Sequence, residues 1–325
     1  MRMKTLCMAA TLLAAAVPAW GQLQAKELRL ATIAPNGHVW IKVAELIKAD
    51  LDARPDLDLQ ITLFPGAQLG GEPETMQQLE GGLIDIGMFT LAGLTTRDPS
   101  FNAWFTPYLL KDVQAAGKAR TTPAAKQMLG NLTSQGMVGL GYVFAGMRSI
   151  VAREGVIRTA ADIKGKKVRI TPFLAAQTWW SAMGAVPTPI PLGSVYQAMQ
   201  SGVVDAIDID LDAVVNLSLQ EVSSSFTATR HMSWGGVIAA SGSTWDGLTD
   251  AQRKGLTEIV DKAVAQGIEI QAAAESAHLA KVRSAITVVE LENGEEAFAD
   301  ANKAFAEKFH DIPLVSEFQS QVKSQ

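Results

Sequence analysis

Strand-like and helix-like segments alternate along the first third of this chain. Residues 28–33 have a strand-like pattern, and a Pro35-Asn36-Gly37 turn separates them from apolar residues at helical spacing that continue to Asp50. Residues 57–64 and 83–89 are further predicted strands, and residues 73–80 form a predicted helix between them. This βαβαβ order predicts an α/β fold, with helices packed on the faces of a sheet.

The second third of the chain repeats this order. Residues 166–171 and 203–209 are predicted strands, and residues 175–183 and 194–201 are predicted helices. Four residues recur in kind after 120 positions, namely Gln77, Leu79, Gly82 and Asp85 as Gln197, Met199, Gly202 and Asp205. Any helix–glycine–strand unit can produce one such match, but the repeat favours two similar lobes.

The last third is predicted to be helical. Thr249 and Gln252 form a capping-box pattern, and residues 250–285 contain no proline and only two glycines, Gly255 and Gly267. This predicts either one long helix or two helices separated near Gly267, followed by another helix over residues 295–309. Because no low-complexity linker divides the chain, the lobes are expected to share elements across a cleft, where small ligands bind.

The N-terminus has the pattern of a secretory signal peptide. Arg2 and Lys4 precede an apolar stretch over residues 5–19, and small residues follow it. That stretch is shorter than the roughly 20 residues of a membrane span. We predict cleavage after Gly21, with Ala25 as the alternative, and location in the periplasm. Cleavage would remove Cys7, the only cysteine.

Charge and motif content exclude several classes of function. The net charge is −5, and removing the two basic residues of the signal leaves 26 basic and 33 acidic residues, a net charge of −7. This acidic balance argues against a nucleic-acid partner. The sequence lacks the G-x-S-x-G, H-E-x-x-H, P-loop and C-x-x-C motifs, so we predict no catalytic residues and no cofactor.

Two arginines are the strongest candidates for binding a ligand. Arg148 follows a predicted strand and a glycine, and Arg169 lies inside an alternating strand. A buried guanidinium needs an anion, and its planar shape suits a carboxylate. Alternation alone favours an outward-facing Arg169 on the same face as Lys167, so periodicity does not decide its role.

An acidic run and a few aromatic residues could complete a site. Asp208 is a candidate ligand contact within the run from Asp205 to Asp212, although a strand end emerging into solvent explains the run equally well. No Gly-x-x-Glu loop follows the run, so we predict no metal site. Phe89, Phe173 and Trp234 fall at or after predicted strands, where they either pack in the core or line a cleft.

Several blocks, taken in order, resemble the substrate-binding proteins of tripartite ATP-independent periplasmic (TRAP) transporters, the DctP family. The similarity covers nearly all of the chain after the signal. The blocks are residues 64–70 (FPGAQLG), 79–85 (LEGGLID), 146–148 (GMR), 162–169 (DIKGKKVR), 183–189 (MGAVPTP) and 195–205 (VYQAMQSGVVD).

The resemblance implies a two-lobed periplasmic binding protein fold with mixed sheets, an interlobe cleft and a long lobe-spanning helix. It implies a monomeric receptor that binds a small organic acid and delivers it to a small and a large membrane subunit. We expect lobe I to comprise residues 26–145 and about 236–275, and lobe II residues 146–235 and about 276–325. A sensor that presents the ligand to a membrane signalling protein is the alternative.

The resemblance also implies roles for individual residues. Arg169 matches the family's carboxylate anchor, and Arg148 matches a second arginine beside the ligand. Ile209 stands where the family usually has an asparagine that helps to hold the carboxylate, which suggests a different ligand pose. The full predicted ligand-binding set is Asn36, Glu72, Phe89, Arg148, Arg169, Phe173, Leu192, Asp208, Ile209 and Trp234.

Overall fold

The computed structural model describes residues 25–325, so the predicted signal peptide up to its preferred cleavage position after Gly21 lies outside the described residues. The alternative cleavage position after Ala25 stays a prediction. The strands are β1 Lys26–Thr32, β2 Leu59–Phe64, β3 Ile86–Thr90, β4 Met137–Ala152, β5 Lys167–Ile170, β6 Val186–Pro189, β7 Ala206–Asp210, β8 Ser225–Ser241 and β9 Thr287–Glu290.

Helices cover both faces of this sheet. They are α1 Val39–Asp52, α2 Glu72–Glu80, α3 Leu91–Leu94, α4 Val113–Ala119, α5 Pro123–Asn131, α6 Ala160–Ile163, α7 Leu174–Ala182, α8 Val195–Gln200, α9 Leu211–Asn216, α10 Gly242–Asp246, α11 Asp250–Ala285, α12 Gly294–Ala297, α13 Ala299–Phe309 and α14 Pro313–Lys323. Short 3₁₀ helices occupy Pro55–Leu57, Pro99–Phe105, Leu132–Gln135, Leu192–Ser194 and Leu219–Val222.

The sheet is mixed, as predicted, and two long strands carry it from one half of the molecule to the other. The strand order is β2-β1-β3-β8-β4-β7-β5-β6. β9 lies outside this order and pairs with the first residues of β8. β4 and β8 pair antiparallel along their whole lengths, from Met137 opposite Ser241 to Ala152 opposite Ser225. β3 flanks one half of β8, whereas β7 flanks the opposite half of β4.

The repeat seen in the sequence has a structural counterpart in two aspartates. The Asp85 carboxylate accepts a hydrogen bond at 2.9 Å from the backbone N–H of Arg29, where β1 runs beside β3. The Asp205 carboxylate accepts one at 2.8 Å from the backbone N–H of Lys167, where β5 runs beside β7. Each aspartate therefore holds the backbone of a neighbouring parallel strand.

The long helix is a single unbroken element of 36 residues, which resolves the alternative left open by Gly267. Thr249 and Gln252 form the predicted capping box at its start. A Cβ atom on Gly267 would lie 2.3 Å from Cγ2 of Val43, so the glycine allows α1 and α11 to approach closely. Its role is packing, which overrides its weak helix propensity.

One expectation about the C-terminal region was wrong. The helix predicted over residues 295–309 is interrupted at Phe298, which separates α12 from α13. Beyond them, α14 begins with Pro313 at its first turn, a position where proline is well tolerated. Phe318 of α14 packs against Trp104 with ring centroids 4.6 Å apart, so this last helix lies on the half of the molecule that contains residues 99–105. The lobe boundaries proposed from the sequence stay a prediction.

Candidate functional site

Arg148 and Asp208 form a buried ion pair between β4 and β7. Arg148 Nε donates to Asp208 Oδ1 at 2.5 Å, and its Nη2 donates to the backbone carbonyl of the same aspartate. Trp180 Nε1 donates to Asp208 Oδ2 at 2.8 Å, and His231 Nε2 lies 3.4 Å from Oδ1. Both carboxylate oxygens are therefore engaged by protein groups, and the residue is fully buried.

The environment of Asp208 keeps it ionised. Burial alone would raise the pKa of this carboxyl, but the opposing charge of Arg148, the nearby His231 and the Trp180 hydrogen bond hold its pKa well below the usual range. A buried charge is tolerated only when paired and hydrogen-bonded in this way. The alternative in which Asp208 lies at a strand end in solvent is therefore wrong, and its role as a ligand contact stays a prediction. The placement of Arg148 after a strand was also wrong, since it lies within β4.

Arg169 is buried without a carboxylate partner. Its Nε donates to the carbonyl of Ile190 at 2.9 Å, and its Nη1 lies 3.4 Å from the carbonyl of Asp208. Within residues 25–325 the guanidinium makes no ion pair, and only 2% of the residue is exposed. Burial and, next, repulsion from Arg148 lower the pKa of Arg169 to about 9, partly offset by nearby carboxylates. This guanidinium is still cationic at neutral pH.

The inward orientation of Arg169 contradicts the reading that alternation alone favoured. Lys167 at the start of β5 is exposed, whereas Arg169 two residues later is buried. The two share a face of the strand, but β5 runs inward between β6 and β7, so only its first residue reaches solvent. Period-two alternation shows which residues share a face and does not show which end of the strand is covered.

Aromatic side chains lie near Arg148. The Arg148 guanidinium carbon is 4.1 Å from the ring centroid of Trp234, a cation–π contact. Phe173 lies 6.2 Å from Trp234 between ring centroids, and Phe105 lies 4.4 Å from Phe173. Phe105, Trp180 and His231 were not in the predicted set. The paired tryptophans at 179–180 were the only signal in the sequence that pointed to one of them.

Five predicted site residues lie apart from the arginines or on other surfaces. The Ile209 side chain belongs to an apolar cluster with Val195 and Met199, on the face of β7 opposite Asp208. Leu192 is half-buried and packs against the same cluster. The others are Asn36, which is exposed in the turn before α1; Phe89, whose ring covers Gly87; and Glu72, which contacts Thr90.

Glu72 begins α2, and its side chain reaches the start of α3. Its carboxylate accepts hydrogen bonds from the backbone N–H and from Oγ1 of Thr90, the latter at 2.9 Å. The residue is half-buried, but its carboxylate lies among packed atoms. Burial outweighs these hydrogen bonds and raises the pKa of Glu72 to about 7. Its contacts within the described residues are those of a structural cap, so its part in ligand binding stays a prediction.

A second buried polar cluster lies where β7 continues into α9. Asp212 Oδ2 accepts a hydrogen bond from the backbone N–H of Val39 at 3.1 Å and lies 3.4 Å from His38 Nε2. His278 Nδ1 is 3.7 Å from the other oxygen of Asp212, and its side chain is only 16% exposed. His278 is therefore largely buried beside Asp212. Burial and the charge of Asp212 raise the pKa of neighbouring Asp210.

The spacing of this cluster would suit a cation, but its hydrogen bonds do not. Ligand atoms of His38, Asp210 and Asp212 lie within 4.8 Å of one another. However, His38 Nδ1 accepts a hydrogen bond from the backbone N–H of Trp40 at 3.2 Å, so a neutral ring carries its proton on Nε2. That proton points towards Asp212. The imidazole therefore acts as a hydrogen-bond donor here and has no free lone pair for a metal.

Comparison with known proteins agrees with the fold. Residues 30–311 match the family model described as bacterial extracellular solute-binding protein, family 7. The C4-dicarboxylate-binding periplasmic protein DctP of Shewanella loihica is 26% identical over 283 residues, covering 85% of this chain and 82% of that protein. The protein of the same name from Rhodobacter capsulatus is 28% identical, covering 72% of this chain and 68% of that protein.

Solved structures give the same result. A TRAP periplasmic solute-binding protein from a Bradyrhizobium species, in complex with galacturonate, is 26% identical with a TM-score of 0.86, covering 92% of this chain and 100% of that one. One from Shewanella oneidensis with bound succinate is 20% identical with a TM-score of 0.86, covering 92% and 98%. Because the family model matches most of the chain, this protein belongs to the bacterial extracellular solute-binding protein family 7, the DctP family of TRAP solute-binding proteins.

Proposed function

We propose that this protein is the periplasmic receptor of a TRAP transporter and that it binds a small organic acid through Arg169. The observation that carries the proposal is a buried guanidinium with two backbone acceptors and, within residues 25–325, no ion-pair partner. A buried charge of this kind is costly until an anion reaches it. A carboxylate suits it because a guanidinium can donate two parallel hydrogen bonds.

The relatives support a carboxylate as the ligand. Solved structures of this fold hold galacturonate, glucuronate, succinate and L-gulonate, and each of these carries at least one carboxylate. The neighbouring Arg148 is paired with Asp208 and stacked on Trp234, so its role is to orient and support. Trp234 supplies an aromatic surface against Arg148, and Phe173 lies 6.2 Å from Trp234 between ring centroids.

The lobe division and the partners are part of the same proposal. We expect hinging near Gly146 of β4, because this residue has a positive φ of 107° at a register shift and lies opposite Trp234 of β8. Within residues 25–325 no helix is both long enough and apolar enough to span a bilayer. We expect the closed, ligand-loaded form to dock on the membrane subunits.

The test is binding of an acid panel by wild type and an Arg169 variant. Thermal-shift screening with galacturonate, L-gulonate and succinate finds a ligand, because binding only the folded state raises its melting temperature. Calorimetry on Arg169→Gln should then show a dissociation constant raised by about tenfold to a hundredfold. Arg54→Gln is the matched control, since Arg54 forms an exposed pair with Asp56. Unchanged binding by Arg169→Gln, or no bound acid in a broad panel, would contradict the proposal.

A further inference from the structure

The carboxyl ends of β3 and β7 point towards each other at the middle of the two long strands. Thr90 at the end of β3 lies opposite Gly236 of β8, and Asp210 at the end of β7 lies opposite Arg148 of β4. Because Arg148 pairs with Met232 of β8, the two ends lie only a few residues apart along β8. β1 runs parallel to β3, so α1, which follows β1, and α9, which follows β7, begin in this middle region from opposite halves of the sheet.

α1 and α9 pack in different apolar clusters. Val43 of α1 is buried in the cluster that contains Leu30 of β1, whereas Val214 of α9 is buried in the cluster that contains Met199 of α8. Within residues 25–325, no residue of α9 belongs to the first cluster and no residue of α1 belongs to the second. Separating the two helices would therefore break no shared apolar cluster.

The contact that joins the two helices is polar and is made by Asp212. This residue lies in the first turn of α9 and is fully buried. Its Oδ2 accepts a hydrogen bond from the backbone N–H of Val39 at 3.1 Å and lies 3.4 Å from Nε2 of His38. The N-termini of both helices carry positive partial charge and come together here, so a carboxylate between them stabilises their approach.

A second residue of α9 reaches the same segment before α1. Asn216 lies one turn after Asp212 and donates through Nδ2 to the Asp212 carbonyl at 2.9 Å. A Cβ atom on Gly37, which has a positive φ of 87°, would lie 2.7 Å from Oδ1 of Asn216. Glycine at this position therefore allows the turn before α1 to approach α9 closely.

We propose that Asp212 and the N-terminus of α1 form a latch between the two lobes, which engages when the lobes close on a ligand and separates when they open. The inference rests on the proposed function, in which the lobes close by hinging near Gly146. Water can replace the partners of the Val39 N–H and of the Asp212 carboxylate when the helices part. The latch stabilises the closed form without touching the ligand, so it raises the affinity for any acid that closes the receptor.

Hydrogen exchange tests whether the contact depends on closure. Galacturonate, L-gulonate and succinate are each added, and exchange at the Val39 amide is compared with and without the acid that binds. Protection should rise about tenfold or more on binding, because the acceptor of this N–H belongs to the other lobe. The Ala115 amide is the control, since its acceptor at 2.7 Å is Asp112, the N-cap residue of its own helix. Its protection should not change.

Distances between two spin labels measure closure directly. The chain without residues 1–21 contains no cysteine, so cysteines introduced at the exposed Glu45 of α1 and Gln200 of α8 carry the labels. At a given acid concentration, Asp212→Ala should lower the ratio of closed to open molecules about tenfold and raise the dissociation constant of that acid by the same factor. Asp112→Ala removes a local helix cap and should change neither quantity.

A second variant leaves Asp212 in place. Asn216→Phe puts a larger side chain against Gly37 and should shift the label distances towards the open form in the same direction as Asp212→Ala. Asn216 is only half-buried, so this variant keeps the test decisive if Asp212→Ala does not fold. Thermal unfolding of each variant checks folding.

The outcomes separate the latch from the proposed function. If an acid binds and shortens the label distance while Val39 protection stays constant, the contact is a permanent helix cap, and the latch is overturned while the receptor role stands. If no acid of the panel binds, the proposed function fails, and the ligand-free distances still decide. A shift of both variants towards longer distances then supports the latch, and distances equal to those of wild type overturn it.

Discussion

The Asp212 carboxylate accepts a hydrogen bond from the backbone N–H of Val39, which lies 173 residues earlier in the chain, at 3.1 Å. Val39 begins α1, and Asp212 lies in the first turn of α9. The aspartate therefore caps a helix that follows a different strand of the sheet, at the end where the helix dipole favours a negative charge. The contact connects α1 and α9, which otherwise pack little against each other.

Loss of this carboxylate should loosen the start of α1. Replacing Asp212 with alanine leaves the buried N–H of Val39 without its acceptor, so we expect a loss of about 1–3 kcal/mol in the free energy of unfolding. Hydrogen exchange at the Val39 amide should become faster. Asp112→Ala is the control, because Asp112 is the N-cap residue of α4 and caps that helix locally. Unchanged protection of the Val39 amide would count against the contact.

Replacing Trp180 by phenylalanine should lower the free energy of unfolding more than replacing the adjacent Trp179. Trp180 Nε1 donates to the charged Asp208, whereas Trp179 Nε1 donates to the neutral amide oxygen of Asn302 at 2.9 Å. We expect Trp180→Phe to lower the free energy of unfolding by roughly 1.5–3 kcal/mol and Trp179→Phe by about 0.5–1.5 kcal/mol. Urea unfolding measures both. Equal losses would show that the charge of Asp208 adds nothing to its hydrogen bond.

Stability should depend on pH through Glu72. Its pKa rises from an ordinary value of 4.5 to about 7 on folding. The folded state therefore holds this proton more tightly than the unfolded chain, and the Glu72 contribution favours folding most below about pH 4.5 and declines as the pH rises to about 7. Glu72→Gln should remove that decline and make the variant relatively more stable at pH 8.

Chemical denaturation at pH 5, 6, 7 and 8 measures the Glu72 effect as the difference between wild type and variant. Glu74→Gln on the exposed side of the same helix is the control and should give a constant difference. A Glu72→Gln difference that does not vary with pH would contradict the raised pKa.

Replacing two helical glycines by alanine should change the stability of the protein in opposite directions. Gly267→Ala places a methyl group 2.3 Å from Val43 Cγ2, so we expect overpacking to cost about 1–3 kcal/mol despite the better helix propensity of alanine. Gly130→Ala in α5 meets no atom within 4 Å and should gain up to about 1 kcal/mol. Thermal unfolding measures both changes, and Val43→Ala should rescue the first. A stabilising Gly267→Ala would contradict the close helix contact.

Local sequence patterns predicted the elements of the fold and failed at their junctions. The alternation of residues 28–33 and the apolar spacing to Asp50 correspond closely to β1 and α1. The repeat of Asp85 at Asp205 marked two equivalent strand junctions. By contrast, the interruption at Phe298 and the extra helix from Pro313 carry no clear local signal, because their positions follow from packing against α7 and against residues 99–105.

Residue patterns along the chain were enough to predict the α/β fold, the capping box at Thr249, the family and the two candidate arginines. What each arginine does depends on the folded arrangement of the strands. Arg148 and Asp208 are 60 residues apart, and they meet because β4 and β7 are neighbours in the sheet. The same arrangement leaves Arg169 without an ion-pair partner among residues 25–325. Spacing along a chain shows which residues share a local face, but the pairing of buried charges depends on which strands lie side by side.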